Sequence, residues 1–330
     1  MYELDPRVIR RAEAAVRRVF PPTPLLSAPR LSARVGARVS LKLDCFTPVR
    51  AFKLRGALNK LQALADAGVT GGVITASAGN HGLAVARAAR LHARPATICV
   101  PATANPQKVA AIQDEGARVV RHGRDYFEAF QCCLEMGQTE GLTLVHAYDD
   151  PEIIAGQGTL GLELLEQSRV DAGGHGQSGG RFDAVLGGVG GGGLMVGVAV
   201  AVKSQFADVR VYGFQSEGAD SMVRSLEAGR IVALDSVSTC ADGLAARAPG
   251  EWTYPLARRW LDGVLRVTEA DLMAAMRMLL EEERLLVEPA GAAGLAGLLQ
   301  YGADAFGRNI CLLITGGNIS DAMLAQVLAR

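Results

Sequence analysis

The residues from Ala184 to Val202 run for 19 positions without a charge, and seven of them are glycine, four in succession at Gly190-Gly191-Gly192-Gly193. A stretch this apolar belongs either in a membrane or inside a packed core, and the glycines decide between the two. Each glycine in a helix interior costs about 1 kcal/mol relative to alanine, so this composition argues against a membrane helix. What fits is a buried strand (FDAVLGG), a glycine loop and a helix (GGGLMVGVAVAVKSQF), with a further strand at VRVYGFQ.

The same alternation fills most of the chain. GVITA reads as a strand, GNHGLAVARAARL as a helix, PATICV as a strand, NPQKVAAIQDEG as a helix and ARVVR as a strand; a third unit from Thr268 ends with the strand NICLLI feeding TGGN. Short β-rich runs separated by helical patterns predict an α/β fold built on mainly parallel sheets. Asp5 and Pro6 open an amphipathic pattern over MYELDPRVIRRAEAAVRRVF, with Asp5 as cap and Pro6 in the first turn. This segment lacks the apolar core of a secretion signal. The polar, glycine-rich SRVDAGGHGQSGGR (residues 168–181) is expected to be a surface loop. No repeat of 20–50 residues is visible, and no second βαββαβ module is expected.

Composition narrows the function classes. With 34 Lys+Arg against 34 Asp+Glu the formal charge is 34 − 34 = 0, which disfavours a nucleic-acid surface, since phosphate binding needs a clustered cationic surplus. The six cysteines form no C-x-x-C and no paired framework, so thiols of a cytoplasmic protein are expected. Glycine is 39 of 330 residues, about 12% where roughly 7% is usual, pointing to tight turns and close backbone approach to a ligand.

Three glycine turns and one lysine stand out. Gly190 to Gly193 lie between a strand and a helix, where free N–H groups and the helix dipole suit an anion. Gly188, Gly190 and Gly193 also match G-x-G-x-x-G, with Glu217 ending the next strand, so a dinucleotide site competes. Four consecutive glycines suit a cup around one phosphate better than a pyrophosphate turn. Ser77-Ala78-Gly79-Asn80-His81-Gly82 repeats the device, and Thr315-Gly316-Gly317-Asn318 puts a hydroxyl at a strand's carboxyl end. Lys53, between Phe52 and Leu54, is placed where burial would lower its pKa and favour the free amine, although a solvated helix lysine has the same local sequence.

FKLRGA, SAGNHG, GGGG followed by Leu194, and TGGN, in this order and spacing, resemble the fold-type II pyridoxal-phosphate enzymes, closest to the threonine/serine dehydratase and serine racemase branch. Thr23-Pro24-Leu25-Leu26, Ala241-Asp242-Gly243 and Val287-Glu288-Pro289-Ala290-Gly291 support the resemblance, which covers nearly the whole chain. It implies a two-domain, tryptophan-synthase-β-like architecture, with residues 1–69 and 147–330 forming a large domain and 70–146 a small one. It implies pyridoxal 5′-phosphate as cofactor and a β-hydroxy amino acid as substrate, threonine or serine first, with 3-hydroxyaspartate, phenylserine, a hydroxyectoine-derived substrate or a serine racemase-like activity as alternatives, and a 2-oxo acid and ammonia as products. Lys53 would carry the cofactor as a Schiff base and take the Cα proton. Phe52 and Asn80 would flank the ring, Asn80 at its 3′ oxygen. Gly190, Gly191, Gly192, Gly193 and Leu194 would hold the phosphate, with Gly243 and Glu288 nearby, and Thr315 would face the pyridine nitrogen. A hydroxyl there makes a weaker electron sink than a protonated ring, which favours β-elimination over transamination. Ser77, Ala78, Gly79, Asn80 and His81 would bind the substrate carboxylate. A homodimer is expected, and no nucleic acid or membrane partner.

The sequence departs from the family pattern at three places. Ala78 stands where the racemases place a serine opposite the lysine, so little racemisation is expected. Gln215 and Ser221 take the two carboxylate positions of the family's cation site, with Glu217 and Asp220 close by, so no metal is expected. Ala51 replaces a small hydroxyl residue before Phe52. Three other classes compete: a nicotinamide oxidoreductase, a substrate-binding protein on the same fold, and a hydrolase using Gly176-Gln177-Ser178-Gly179-Gly180, which lacks the strand–turn–helix context of a nucleophile elbow.

Overall fold

The computed structural model describes residues 3–173 and 181–329. The strands are β1 (Leu25–Ser27), β2 (Arg38–Leu43), β3 (Val73–Ala76), β4 (Ala96–Val100), β5 (Arg118–Arg121), β6 (Thr143–Leu144), β7 (Ala184–Gly188), β8 (Arg210–Ser216), β9 (Gly263–Val267) and β10 (Asn309–Ile314). The helices between them are α1 (Pro6–Arg17), α2 (Pro29–Val35), α3 (Lys53–Asp66), α4 (Asn80–Leu91), α5 (Pro106–Asp114), α6 (Tyr126–Thr139), α7 (Pro151–Gly173), α8 (Gly193–Lys203), α9 (Ser221–Ala228), α10 (Thr253–Trp260), α11 (Glu269–Glu283), α12 (Pro289–Tyr301) and α13 (Asp321–Leu328).

Two sheets result. The larger runs β1-β2-β10-β7-β8-β9 and the smaller β5-β4-β3-β6. Every pairing is parallel except β1 with β2. Strands such as β3, β4 and β10 are Val/Ile/Leu-rich and buried almost throughout, the pattern of parallel strands covered by helices on both faces. One face of the large sheet packs on α11 and α12 around Leu186, Phe214 and Leu312, the other on α7 and α8 around Val185, Val198 and Leu313. The expected α1 cap is present: the Asp5 side chain accepts from Arg7 N at 2.8 Å and Pro6 begins the helix.

The uncharged run is a strand, a loop and a helix, as its glycines demanded. α8 is buried along its length from Gly193 to Val202. Gly197 lets it approach α7 closely, since a Cβ there would sit 2.8 Å from the Gly158 nitrogen. No helix among the described residues is long and apolar enough to cross a membrane.

One expectation needs correction. Residues 168–181 were expected to be a loop from their glycine content, yet α7 continues through Ser168 to Gly173. The first residues of that stretch, SRVDA, carry no helix breaker, so the helix begun at Pro151 propagates through them. The rest of the stretch up to Gly180, including the G-x-S-x-G match, lies outside the described residues.

In the large sheet the parallel strands β2, β10 and β7 are neighbours and end at the same edge. Ligands of α/β sheets bind at the carboxyl ends of such strands. There β2 leads to Lys53, β10 to Thr315 and β7 to the glycine loop.

Candidate active site

Lys53 is the first residue of α3, and the chain before it is held in place from two sides. The Thr47 hydroxyl donates to the Ala51 carbonyl at 2.8 Å and accepts from the Ala51 N–H at 2.9 Å. Ala51 bridges Gly316, Phe52 N donates to the Thr315 carbonyl at 3.0 Å and Gly317 N to the Arg50 carbonyl at 2.9 Å. Arg50, at φ 56, takes the left-handed conformation that turns the chain into this bridge. The lysine and the threonine therefore share one floor.

The Lys53 amine donates to the Ala147 carbonyl at 2.7 Å and lies 5.2 Å from the Phe52 ring centroid. Burial pushes it down to about 8, with the Glu288 charge opposing. A neutral acceptor does less to hold the ammonium than a carboxylate would, so desolvation wins. Near neutral pH an appreciable share of this amine is free.

The glycine loop leaves β7 and enters α8 through Gly192, which has φ 100. Side chains have no space here: a Cβ on Gly190 would lie 2.8 Å from the Gly243 carbonyl oxygen, one on Gly191 would run into the Tyr148 ring, and one on Gly193 would lie 2.9 Å from the Tyr148 carbonyl. The first N–H groups of α8 have no intrahelical partner. A bare backbone cup at a helix N-terminus is the arrangement that receives a phosphate.

The SAGNHG turn forms the opposite wall. Ser77 Oγ accepts from Gly79 N at 3.2 Å. The Asn80 amide donates to Glu288 Oε1 at 2.7 Å, and its carbonyl accepts from Asn318 Nδ2 at 2.7 Å. Burial pushes the Glu288 carboxyl up to about 7, against the lowering effect of Asn80. The His81 ring is buried, and its Nε2–H donates to the Val145 carbonyl at 3.0 Å. Burial, reinforced by Lys53, pushes His81 down to about 3, so the ring is neutral. Its Nδ1 has no partner among the described residues. Thr315 and Leu194 are both buried, while Gly243 lies in the short 3-10 turn Asp242–Leu244. Beside the turn a cavity of about 180 Å³ is lined by Ala78, Asn80, Lys108 and Ser320 among others. Lys108 pairs with Asp242 at 2.9 Å.

Several contributors carried no side-chain signal in the sequence. Ala147 acts through its carbonyl, and Tyr148 is held behind the glycine loop by its hydroxyl donating to the Ala248 carbonyl at 3.0 Å. On the far face of α3 lies a buried ionic network: Arg55 donates to Asp44 at 2.7 Å and to Glu163 at 2.8 Å, and Lys42 to Glu163 at 2.7 Å. Of the two residues that the resemblance places in its cation site, Gln215 donates to the Gly190 carbonyl and Ser221 to the Ala246 carbonyl, at 3.2 and 2.8 Å.

Comparison with known proteins decides what the floor and cup belong to. The family model described as pyridoxal-phosphate dependent enzyme matches residues 16–316. The chain belongs to this family. An L-threonine ammonia-lyase of Thermotoga maritima is 36% identical over 98% of this chain and 77% of its own length. An L-threo-3-hydroxyaspartate ammonia-lyase of a Pseudomonas species is 35% identical over 93% of this chain and 92% of its own. The structure of maize serine racemase superposes with a TM-score of 0.90 at 34% identity, covering 98% of this chain and 97% of that one.

The site suits pyridoxal phosphate on its own evidence. A partly buried amine of depressed pKa follows a backbone segment bonded to the hydroxyl residue Thr315, and a cup that a single Cβ would fill opens at a helix N-terminus. With the family settled, the nicotinamide reading of the G-x-G-x-x-G match falls away.

Proposed function

We propose that this chain is a pyridoxal-phosphate-dependent ammonia-lyase that converts L-threonine or L-serine to the 2-oxo acid and ammonia. The observation that carries the reading is the shared floor of Lys53 and Thr315, joined by the Phe52 N–H to Thr315 carbonyl bond. It combines a neutralisable amine with a hydroxyl residue rather than a carboxylate. Family membership and the ammonia-lyase relatives support the same class of reaction.

When bound, pyridoxal phosphate supplies the electron sink that makes the substrate Cα–H acidic and the β-C–O bond labile. The residues of the chain do the rest. Lys53 would anchor the group and then move the Cα proton at Nζ, a task suited to an amine near 8. Gly190 to Gly193 and Leu194 would hold the phosphate, with Gly243 closing the cup. Phe52 and Asn80 would position the ring, Glu288 would hold Asn80, and Thr315 would meet the pyridine nitrogen. Ser77 to His81 would take the substrate carboxylate, His81 through its backbone, because its ring is turned to Val145. Loss of the Cα proton and the β-hydroxyl releases one water, and hydrolysis of the resulting imine consumes one.

The small sheet and its helices, residues 70–146, would form one domain against 1–69 and 147–330, with the site in the cleft. Membership of the family supports a homodimer. The six free cysteines support a cytoplasmic location.

One observation favours a second substrate. Lys108 brings a cation to the cavity beside Ala78 and Asn80, where it could meet the second carboxylate of 3-hydroxyaspartate. The test begins with the absorbance of the purified protein. A visible band that borohydride abolishes, and that Lys53→Ala lacks, is expected. Release of 2-oxo acid from threonine, serine and 3-hydroxyaspartate then ranks the substrates. Lys53→Ala is expected to lose at least about 10⁴-fold in activity, since both anchor and base go with one side chain. A colourless wild-type protein would overturn the reading.

A further inference from the structure

The glycine loop has a mechanical problem, and one buried side chain answers it. A peptide between two glycines turns over with little steric resistance, so four in succession form a poor anion site unless their planes are fixed. Backbone bonding fixes the entrance, where Val189 N donates to the Phe214 carbonyl at 2.8 Å. The next residue of that strand, Gln215, is fully buried. Its Nε2 donates to the Gly190 carbonyl at 3.2 Å, and its Oε1 accepts from Met222 N at 2.9 Å and Val223 N at 3.0 Å. The side chain thus joins the glycine loop to the first turn of α9.

We propose that Gln215 is a positioning residue that sets the direction of the Gly191 N–H and thereby the loop's grip on the cofactor phosphate. In a planar trans peptide the carbonyl and the N–H point opposite ways. Holding the Gly190 carbonyl towards Gln215 therefore turns the Gly191 N–H away from it. The anchor is firm because the same amide is fixed at its other end by two helix N–H groups. Steric packing assists: a Cβ on Gly192 would lie 2.8 Å from Met222 Cε, so loop and α9 are in contact as well as bonded. The inference rests on the loop being the phosphate cradle.

Two variants separate this role from simple support of α9. Gln215→Glu keeps an acceptor for Met222 N and Val223 N, where a negative charge suits a helix N-terminus, but its ionised form has nothing to donate to Gly190. Gln215→Met removes both arms. Cofactor release from each holoenzyme is followed by absorbance after rapid gel filtration, with pyridoxal, which has no phosphate, as a second probe, and folding is checked by thermal melting. Both variants are expected to release pyridoxal phosphate roughly tenfold faster than wild type, the scale of one lost hydrogen bond. Added cofactor should restore most of the kcat, and retention of pyridoxal should be unaltered. Wild-type release from a folded Gln215→Glu protein would overturn the strut alone. A wild type that holds pyridoxal as firmly as pyridoxal phosphate would overturn the cradle and the strut together.

Discussion

The two faces of α3 carry the same kinds of charged residue in opposite condition. On the cleft face the Lys53 amine meets a backbone carbonyl, and Glu288 meets an amide. Burial then moves the lysine down to about 8 and the acid up to about 7, each towards its neutral form. Behind the helix two acids face two bases. There burial also pushes Glu163 up, but Arg55 and Lys42 outweigh it and bring the carboxyl down to about 2. Burial pulls Arg55 down, and Asp44 and Glu163 more than restore it. Only Lys42 yields, held below its ordinary value by burial despite Glu163. At Glu163 and Arg55 pairing outweighs burial, and the charge is kept. On the proposed function the unpaired side moves the proton, and the paired side holds the helix that presents it.

The largest expected effect follows from removing one member of the paired side. Arg55→Met leaves Asp44 and Glu163, both fully buried, without their shared guanidinium. Breaking a buried network in this way costs about 3–5 kcal/mol. Urea denaturation of the variant should show that loss, whereas Lys53→Ala should be as stable as wild type or more so, because it removes a desolvated amine. Arg55→Lys should recover little, since an ammonium lacks the fork that reaches both acids. A fully stable Arg55→Met protein would show that the network contributes nothing net and would end the contrast.

The next test is of the unpaired side, through pH. Glu288 binds its proton more tightly folded than unfolded, so its contribution to stability is fully present below its ordinary value of 4.5 and is lost as pH rises through about 7. Lys53 has the reverse sign: its contribution is present above its ordinary value of 10.5 and is lost as pH falls through about 8. Stability of the cofactor-stripped protein should therefore fall between pH 4.5 and 7 with a slope of at most about 1.4 kcal/mol per pH unit from Glu288. Glu288→Gln should remove that part of the slope and, because the charge that holds Lys53 up is gone, start the alkaline rise below pH 8 while it still ends near 10.5. Denaturation curves at half-unit pH steps measure both; an unaltered acid limb in Glu288→Gln would mean that its carboxyl ionises normally.

The two faces also differed in how visible they were from the residues alone. The cleft face is written in local patterns, because a phosphate cup needs consecutive glycines and strand ends are marked by Val/Ile runs. Each of β3, β4, β5, β7, β8 and β10 and the helices α4, α5 and α8 could be anticipated on that basis, whereas α6, α7, α9 and α10 could not. The paired face is not local. Arg55 and Glu163 are 108 residues apart and Lys42 and Glu163 are 121 apart, so no spacing rule connects them. Ala147 was invisible for another reason, since a backbone carbonyl has no residue signature. The loop expected over 168–181 is helical at its start because glycine content was weighed over the stretch as a whole, while its first five residues are compatible with a helix.

The smallest structural change sharpens the contrast most, because it adds a proton carrier without moving a charge. Ala78 is partly buried and lines the cavity beside Asn80; by the resemblance drawn from the sequence, it takes the place of a racemase serine. On the function proposed above, Lys53 is the proton carrier of the wild type, and a proton it removes from one face of the substrate would return only from that face. Ala78→Ser places a hydroxyl on the opposite wall. Stability should change by less than about 0.5 kcal/mol, as for substitutions that leave the core and its hydrogen bonds intact. General acid catalysis contributes on the order of 10²–10⁴-fold, so D-serine formation from L-serine should rise at least about 100-fold over wild type while 2-oxo acid release continues. Chiral chromatography of the reaction mixture reads both products. Rapid D-serine formation by wild type would mean that another group already supplies the second proton, and the unpartnered Nδ1 of the neutral His81 would be the first to examine.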